Sequence, residues 1–150
     1  MGFQFRLAKV LSHRKSLEDL ARKDFLEAQN ELQQALKALE NYYQQVYSAQ
    51  IERGRLISDG NSPGESLSQI YNYIKGTELK IESQKNVIRE LKVKVEKMQL
   101  TLQEAAINYK VILKLESRQH EDYRKQLKKL EEKELNEMTN SRFNLRNKNE

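Results

Sequence analysis

Near the middle of the chain stands the sequence Ser58-Asp59-Gly60-Asn61-Ser62-Pro63-Gly64-Glu65, with the only proline. Asp59-Gly60 is a strong turn signal. Ser62 is placed as an N-cap, Pro63 as the first helical residue, and Glu65 follows three residues after the cap, which together form a capping box. A kink in one continuous helix is disfavoured, because proline and two glycines cost several kcal/mol of helix stability. The stretch therefore predicts that the chain turns back on itself.

Two long heptad registers flank this turn, and each is far longer than an ordinary globular helix. The first has large residues at a and mostly alanine at d, and it reads Ala21, Phe25, Ala28, Leu32, Ala35, Leu39, Tyr42, Val46, Ala49, Arg53, Leu56. The second reads Leu67, Ile70, Ile74, Thr77, Ile81, Gln84, Ile88, Leu91, Val95, Met98, Leu102, Ala105, Tyr109, Ile112. It then weakens through Glu116, Gln119, Tyr123 and Gln126.

These patterns predict an all-α fold, a long antiparallel two-helix coiled coil that forms one domain over residues 1–150. We expect helix one at about 3–57, a turn at about 58–63, helix two at about 64–140 and a frayed tail at 141–150. With the turn near Asn61, residue i faces roughly residue 122 − i. The second helix is then the longer one, and its C-terminal part overhangs as a single helix.

Composition restricts the class of protein. Charged residues make up 33% of the chain and hydrophobic residues only 37%, which is too few for a thick globular core. The chain has no cysteine, which fits a reducing compartment. No apolar run is long enough to span a membrane, and the first residues lack the features of a signal peptide. We expect a soluble, intracellular protein without direct membrane insertion.

The sequence offers no sign of catalysis, of a cofactor or of a metal site. An active site needs side chains that converge in a concavity, and a two-helix hairpin has none. The two histidines, His13 and His120, are expected to lie on the surface near the same end, where Arg14 and Arg118 disfavour a cation. Gly76 is interpreted as a soft spot in the second helix, not as part of a ligand site.

Positive charge is concentrated at the open end of the predicted hairpin. Residues 1–25 carry six Lys/Arg against three Asp/Glu, and residues 110–150 carry eleven against eight. The residues between them carry ten against eleven. Basic and acidic residues alternate at helical spacing, which is typical of a solvated helix face and not of a nucleic-acid binder. An acidic protein partner explains this end at least as well.

Four of the seven tyrosines fall outside the heptad core, on the half of the hairpin nearest the turn: Tyr43, Tyr47, Tyr71 and Tyr73. They either shield the seam between the helices or form a partner-binding patch, since aromatic residues are enriched at interface centres. Tyr42, Tyr109 and Tyr123 occupy core positions and are interpreted as packing residues.

The start of the chain resembles a known family. Its Phe3-Gln4-Phe5-Arg6-Leu7, followed by Val10-Leu11, Arg14, Glu18 and Ala21, is similar to the N-terminal signature of the FliJ proteins of bacterial flagellar protein export. Length, basic character, the lack of cysteine, the glycine-rich turn and the tyrosine-rich segment before it agree with the family. The resemblance covers essentially the whole chain.

The resemblance implies a stalk-like adaptor without enzymatic activity. Such a protein associates through its open end with the hexameric export ATPase, binds the large membrane protein of the export gate and escorts export chaperones. It implies a cytoplasmic location, peripheral to the inner-membrane export apparatus. The matching positions are Phe5, Arg6, Lys9 and Arg14 for the ATPase ring and Tyr43, Tyr47 and Tyr73 for the gate.

Three other classes stay open at this point. The first is the equivalent stalk protein of a virulence type III secretion system, against which the Phe-Arg-Leu start slightly favours the flagellar one. The second is a prefoldin-like chaperone, which would need strands at the base of the hairpin. The third is a structural or nucleic-acid-associated coiled coil.

Overall fold

The structure, a computed structural model, describes residues 2–60 and 64–149. Over these residues it contains two helices and no strand: α1, Ala8–Asp59, and α2, Gly64–Lys148. The helices pack against each other as an antiparallel hairpin, which confirms the predicted fold class. By internal contacts the chain divides into two compact units, Asp19–Gln103 and Met1–Glu18 with Glu104–Glu150.

The seam of the unit Asp19–Gln103 is built from small residues on α1 and large ones on α2. Its buried apolar residues are Ala21, Ala28, Ala35, Ile74, Ile81 and Ile88. Alanine lets the second helix approach closely, and isoleucine fills the space left between the backbones. The buried Thr77 donates its hydroxyl hydrogen to the carbonyl oxygen of Tyr73 at 2.8 Å, so its polar atom is satisfied within α2.

Two polar contacts cross the seam of the same unit. Nε2 of Gln84 donates a hydrogen bond to the carbonyl oxygen of Ala35 at 2.9 Å. The ammonium of Lys94 pairs with the carboxylate of Glu31 at 3.2 Å, with both side chains about half exposed. Both contacts lie within three residues of the positions given by the predicted pairing of residue i with residue 122 − i.

The unit Met1–Glu18 with Glu104–Glu150 follows the same pairing. An Nη atom of Arg14 donates to the carbonyl oxygen of Asn108 at 3.1 Å, at the position that the rule gives. Ile112 is buried in this unit. From residue 124 to residue 149 every residue of the described chain is exposed. A longer second helix with a single-helix overhang was therefore the right prediction.

The helix ends differ from the predicted ones. The first helix begins at Ala8 instead of residue 3, because residues 3–5 are irregular and residues 6 and 7 form a turn that leads into the helix. The second helix continues to Lys148 instead of fraying after residue 140, because the tail contains no glycine or proline that would stop it.

At the turn, α1 ends with Asp59, and Gly60 takes a φ of 70°. This left-handed conformation is a common way to end a helix, and glycine adopts it at the lowest steric cost. The predicted capping box rests partly on Ser62 and Pro63, which lie outside the described residues. Gly64 begins α2, with Glu65 in its first turn.

Candidate partner-binding surfaces

Near the turn, two grooves run along the two flanks of the seam. One groove, of about 550 Å³, is lined by Tyr43 and Val46 of α1 and by the α2 residues Lys75, Glu78, Leu79, Ile81, Glu82 and Lys85. The other, also of about 550 Å³, is lined by Asn41, Gln44, Gln45, Ser48, Ala49 and Tyr73. They share no residue. Residues two apart on a helix point in widely different directions, so Tyr43 and its neighbours Asn41 and Gln45 face opposite flanks.

The groove beside Tyr43 carries alternating charges on the α2 side. Lys85 pairs with Glu82 at 3.4 Å, and Lys75 pairs with Glu78 at 3.8 Å. The neighbouring Glu82 carboxylate raises the pKa of Lys85 most, and Tyr43 makes the next largest contribution in the same direction. The ammonium of Lys75 also lies 5.7 Å from the ring centroid of Tyr71, within the range of a cation–π interaction. The charges are therefore paired beside the tyrosines.

We define the tyrosine face as Tyr43, Tyr47, Tyr71 and Leu79. Tyr47 follows Tyr43 by one helical turn and lies on the same side of α1. Leu79 lines the groove with Tyr43, and Lys75 connects that groove to Tyr71. Tyr47 is 66% exposed and Leu79 is 73% exposed, so neither is held by the seam. The face presents aromatic and apolar side chains to solvent between paired charges, which is the composition of an interface centre.

The structure brings together two of the three tyrosines predicted to bind the gate and separates the third. Tyr73 lies in the other groove, among the uncharged side chains of Asn41, Gln44 and Gln45. The prediction for the gate included Tyr73 and not Tyr71, because Tyr73 matched the family's tyrosine-rich segment by position and residue type. In the register of α2, Tyr71 follows the core residue Ile70 directly, on the flank of Tyr43. The heptad register, which can be derived from the sequence alone, therefore places Tyr71 on the same flank as Tyr43.

Leu79 was missed for a different reason. It is an apolar residue outside the heptad core, and single exposed leucines are common on helical proteins. Only its place beside Tyr43 in the groove gives it significance.

The four residues predicted to contact an ATPase ring divide into two pairs. Arg6 and Lys9 are exposed. Phe5 is half-buried, and the guanidinium of Arg14 is engaged with the carbonyl oxygen of Asn108. A partner can thus reach Arg6 and Lys9 directly, whereas Phe5 and Arg14 already make contacts within the hairpin.

An aromatic cluster that the sequence did not predict lies in the same unit. The ring of Phe3 meets the imidazole of His120 at 5.0 Å, with an interplanar angle of 82°, and the ring of Tyr123 at 5.6 Å. His120 is therefore partly covered, in contrast to the expectation of a surface histidine. His13 is exposed as expected. Over residues 2–60 and 64–149, no three His, Cys, Asp or Glu side chains are grouped as metal ligands would be.

Neither α1 nor α2 is long and apolar enough to cross a membrane over the residues described.

The family model of the flagellar FliJ proteins matches residues 3–148, almost the whole chain. The chain belongs to the FliJ family. Its place is accordingly among the coiled-coil proteins of flagellar type III protein export, as the N-terminal signature, the turn and the tyrosine-rich segment had indicated.

Other comparisons add little to the FliJ assignment. No curated protein matches the sequence significantly. One solved structure is similar, that of a putative YscO homolog from Chlamydia trachomatis. It is 20% identical, the alignment covers 99% of this chain and 100% of that chain, and the TM-score is 0.44. A TM-score of this size is too low to support a conclusion about function.

Proposed function

We propose that this protein is a non-catalytic, stalk-like adaptor of the flagellar export apparatus that binds the export gate through the tyrosine face. The observation that carries the proposal is the grouping of Tyr43, Tyr47, Tyr71 and Leu79 on one flank of the hairpin, exposed and outside the seam. Large apolar side chains that contribute nothing to the core are costly to keep exposed unless a partner covers them. Membership of the FliJ family supports the export gate as that partner.

The tyrosine face is suited to a protein partner for a second reason. The neighbouring Lys75 and Lys85 are already paired with Glu78 and Glu82, so a partner need not supply compensating charges. Binding would then depend mainly on the burial of aromatic and apolar area, and it should change little with salt.

The test is a set of single alanine substitutions, with binding to the purified cytoplasmic part of the gate protein and flagellar export measured for each. Tyr43→Ala and Tyr47→Ala should weaken gate binding at least tenfold, the loss typical of hot-spot residues. Tyr73→Ala provides a matched control, because Tyr73 is 50% exposed against 47% for Tyr43 and faces the other flank. All three variants should melt close to the parent protein, since each removes a surface side chain.

Full gate affinity in the Tyr43 and Tyr47 variants would overturn the proposal. Equal losses in all three variants would show that the gate wraps around both flanks, and the one-sided face would be wrong. Early melting of the Tyr43 or Tyr47 variant would indicate that these side chains shield the seam.

We further propose that the open end of the hairpin contacts the hexameric export ATPase through Arg6 and Lys9. Residues 1–25 and 110–150 hold all the excess positive charge of the chain, and Arg6 and Lys9 are exposed within the first of these stretches. A basic end is attracted to an acidic ring opening, and such attraction acts strongly on the rate of association. Replacing both residues with glutamate should weaken ATPase binding at low salt, and an unchanged affinity there would remove the electrostatic contact.

Escort of export chaperones completes the proposed role, at the cytoplasmic side of the inner-membrane export apparatus. A hairpin with different surfaces near its turn and at its open end can hold two partners at once. FliJ membership favours this role over that of a prefoldin-like holdase. Co-purification of the chaperones with the parent chain, retained in the Tyr43→Ala variant, would separate chaperone binding from gate binding.

A further inference from the structure

The first residues of the chain form a non-helical strap, defined here as residues 3–7, in which residues 6 and 7 form a turn. Phe3, Phe5 and Leu7 are half-buried, whereas Gln4 and Arg6 between them are exposed. Half-buried and exposed side chains thus alternate through the irregular residues 3–5 and the turn at residues 6 and 7. The strap therefore turns its three apolar side chains toward the protein and Arg6 toward solvent.

The strap is anchored at its beginning by Phe3. The Phe3 ring stands edge-on to the imidazole of His120, with the centroids 5.0 Å apart, and it lies tilted against Tyr123 at 5.6 Å. Both separations fall within the roughly 4.5–7 Å range in which aromatic pairs attract, and edge-to-face geometry is preferred. Phe3 thus holds the strap against α2 across more than a hundred residues of sequence.

The strap is anchored at its other end by the start of α1. The backbone N–H of Ala8 donates to the carbonyl oxygen of Phe5 at 3.2 Å, and that of Leu11 donates to Leu7 at 2.9 Å. Arg6 therefore lies between two fixed points. Arg6 lies in the turn that the Ala8–Phe5 hydrogen bond closes, and Lys9, three residues on, is exposed in the first turn of α1. We refer to these two residues as the basic pair.

We propose that Phe3 is a positioning residue, which holds Arg6 in place beside Lys9 so that the pair is preformed for an acidic protein surface. The proposal rests on the proposed ATPase contact and deepens it. A free N-terminal segment would have to be ordered during binding, and ordering it costs conformational entropy that weakens the complex. The aromatic clasp of Phe3, His120 and Tyr123 supplies that order before the partner arrives.

The experiment compares Phe3→Ala, Phe3→Tyr and Gln4→Ala in the full chain. Phe3→Ala should weaken binding to the purified export ATPase about tenfold, the effect of ordering one or two additional side chains. Phe3→Tyr keeps the ring and should bind as the parent does. Gln4→Ala removes an exposed strap side chain and serves as the matched control, with unchanged binding expected.

Nuclear magnetic resonance of the His120 imidazole gives a readout that needs no partner. Loss of the Phe3 ring should shift the His120 ring signals and speed amide exchange in residues 4–8, while helicity stays constant. Unchanged His120 signals in Phe3→Ala would show that the clasp does not exist in solution and would overturn the proposal.

The double variant Arg6→Glu with Lys9→Glu separates the positioning role of Phe3 from the proposed ATPase contact on which it rests. If the double variant binds normally, the ATPase contact itself is wrong. If the double variant binds weakly but Phe3→Ala binds normally while its His120 signals shift, the contact stands and the positioning role of Phe3 is refuted. Weak binding in both, with normal binding in Phe3→Tyr, is the expected result.

Discussion

Two neighbouring residues of α2 test whether the seam or the surface carries the stability of the hairpin. Ile81 is 6% exposed and Leu79 is 73% exposed, and mutation of either to alanine removes three carbon atoms. At about 0.8 kcal/mol for each buried carbon, Ile81→Ala should cost roughly 2.3 kcal/mol and Leu79→Ala roughly 0.6 kcal/mol. The better helix propensity of alanine returns a few tenths of a kcal/mol in each case, and a residual cavity adds to the cost at Ile81.

Urea titration followed by circular dichroism measures both free energies of unfolding. A chain of this size loses roughly 2–4 °C in Tm for each kcal/mol, so the two variants should also separate clearly in a thermal scan. Equal losses would contradict the assigned heptad register, because Ile81 would then not be a seam residue. A large loss at Leu79 would show that its groove is part of the core and would remove it from the tyrosine face.

Three further substitutions test backbone and hydrogen-bond assignments by the same titration. Gly76→Ala should stabilise the protein by roughly 0.5–1 kcal/mol, because nothing lies within 4 Å of an added Cβ and glycine is unfavourable inside a helix; destabilisation would mean that α2 is not regular there. Gly60→Ala should destabilise it by roughly 1–2 kcal/mol, because alanine disfavours a φ of 70°, and a neutral effect would contradict that conformation. Gln84→Met, which keeps the side-chain length but lacks the amide donor to Ala35, should cost about 1 kcal/mol unless added apolar burial offsets it; Gln84→Ala should cost more.

Most of the fold could be predicted because its determinants are periodic and local. Heptads with alanine on one helix and isoleucine on the other predict a close two-helix seam, and Ala28 and Ile88 are buried as that pattern requires. Gly60 marked the end of the first helix to within two residues. One assumption, that the turn is centred near Asn61, was enough to place Asn108 opposite Arg14.

The remaining features depend on contacts that periodicity does not describe. Phe3 leaves the helical pattern because aromatic partners on α2 hold it, and those partners are far away in sequence. The division of the tyrosines between two flanks follows from heptad phase, which places Tyr71 and Tyr73 on different sides although they are two residues apart.

The most direct test of the account is photo-cross-linking in motile cells from two adjacent positions of α1. Position 47 belongs to the tyrosine face, whereas Ser48 lines the groove that contains Tyr73. A photoreactive amino acid at position 47 should cross-link to the export-gate protein, and the same amino acid at position 48 should not. Cross-links to the gate from position 48 alone, or from neither position in cells that still export, would contradict the claim that the tyrosine face binds the gate.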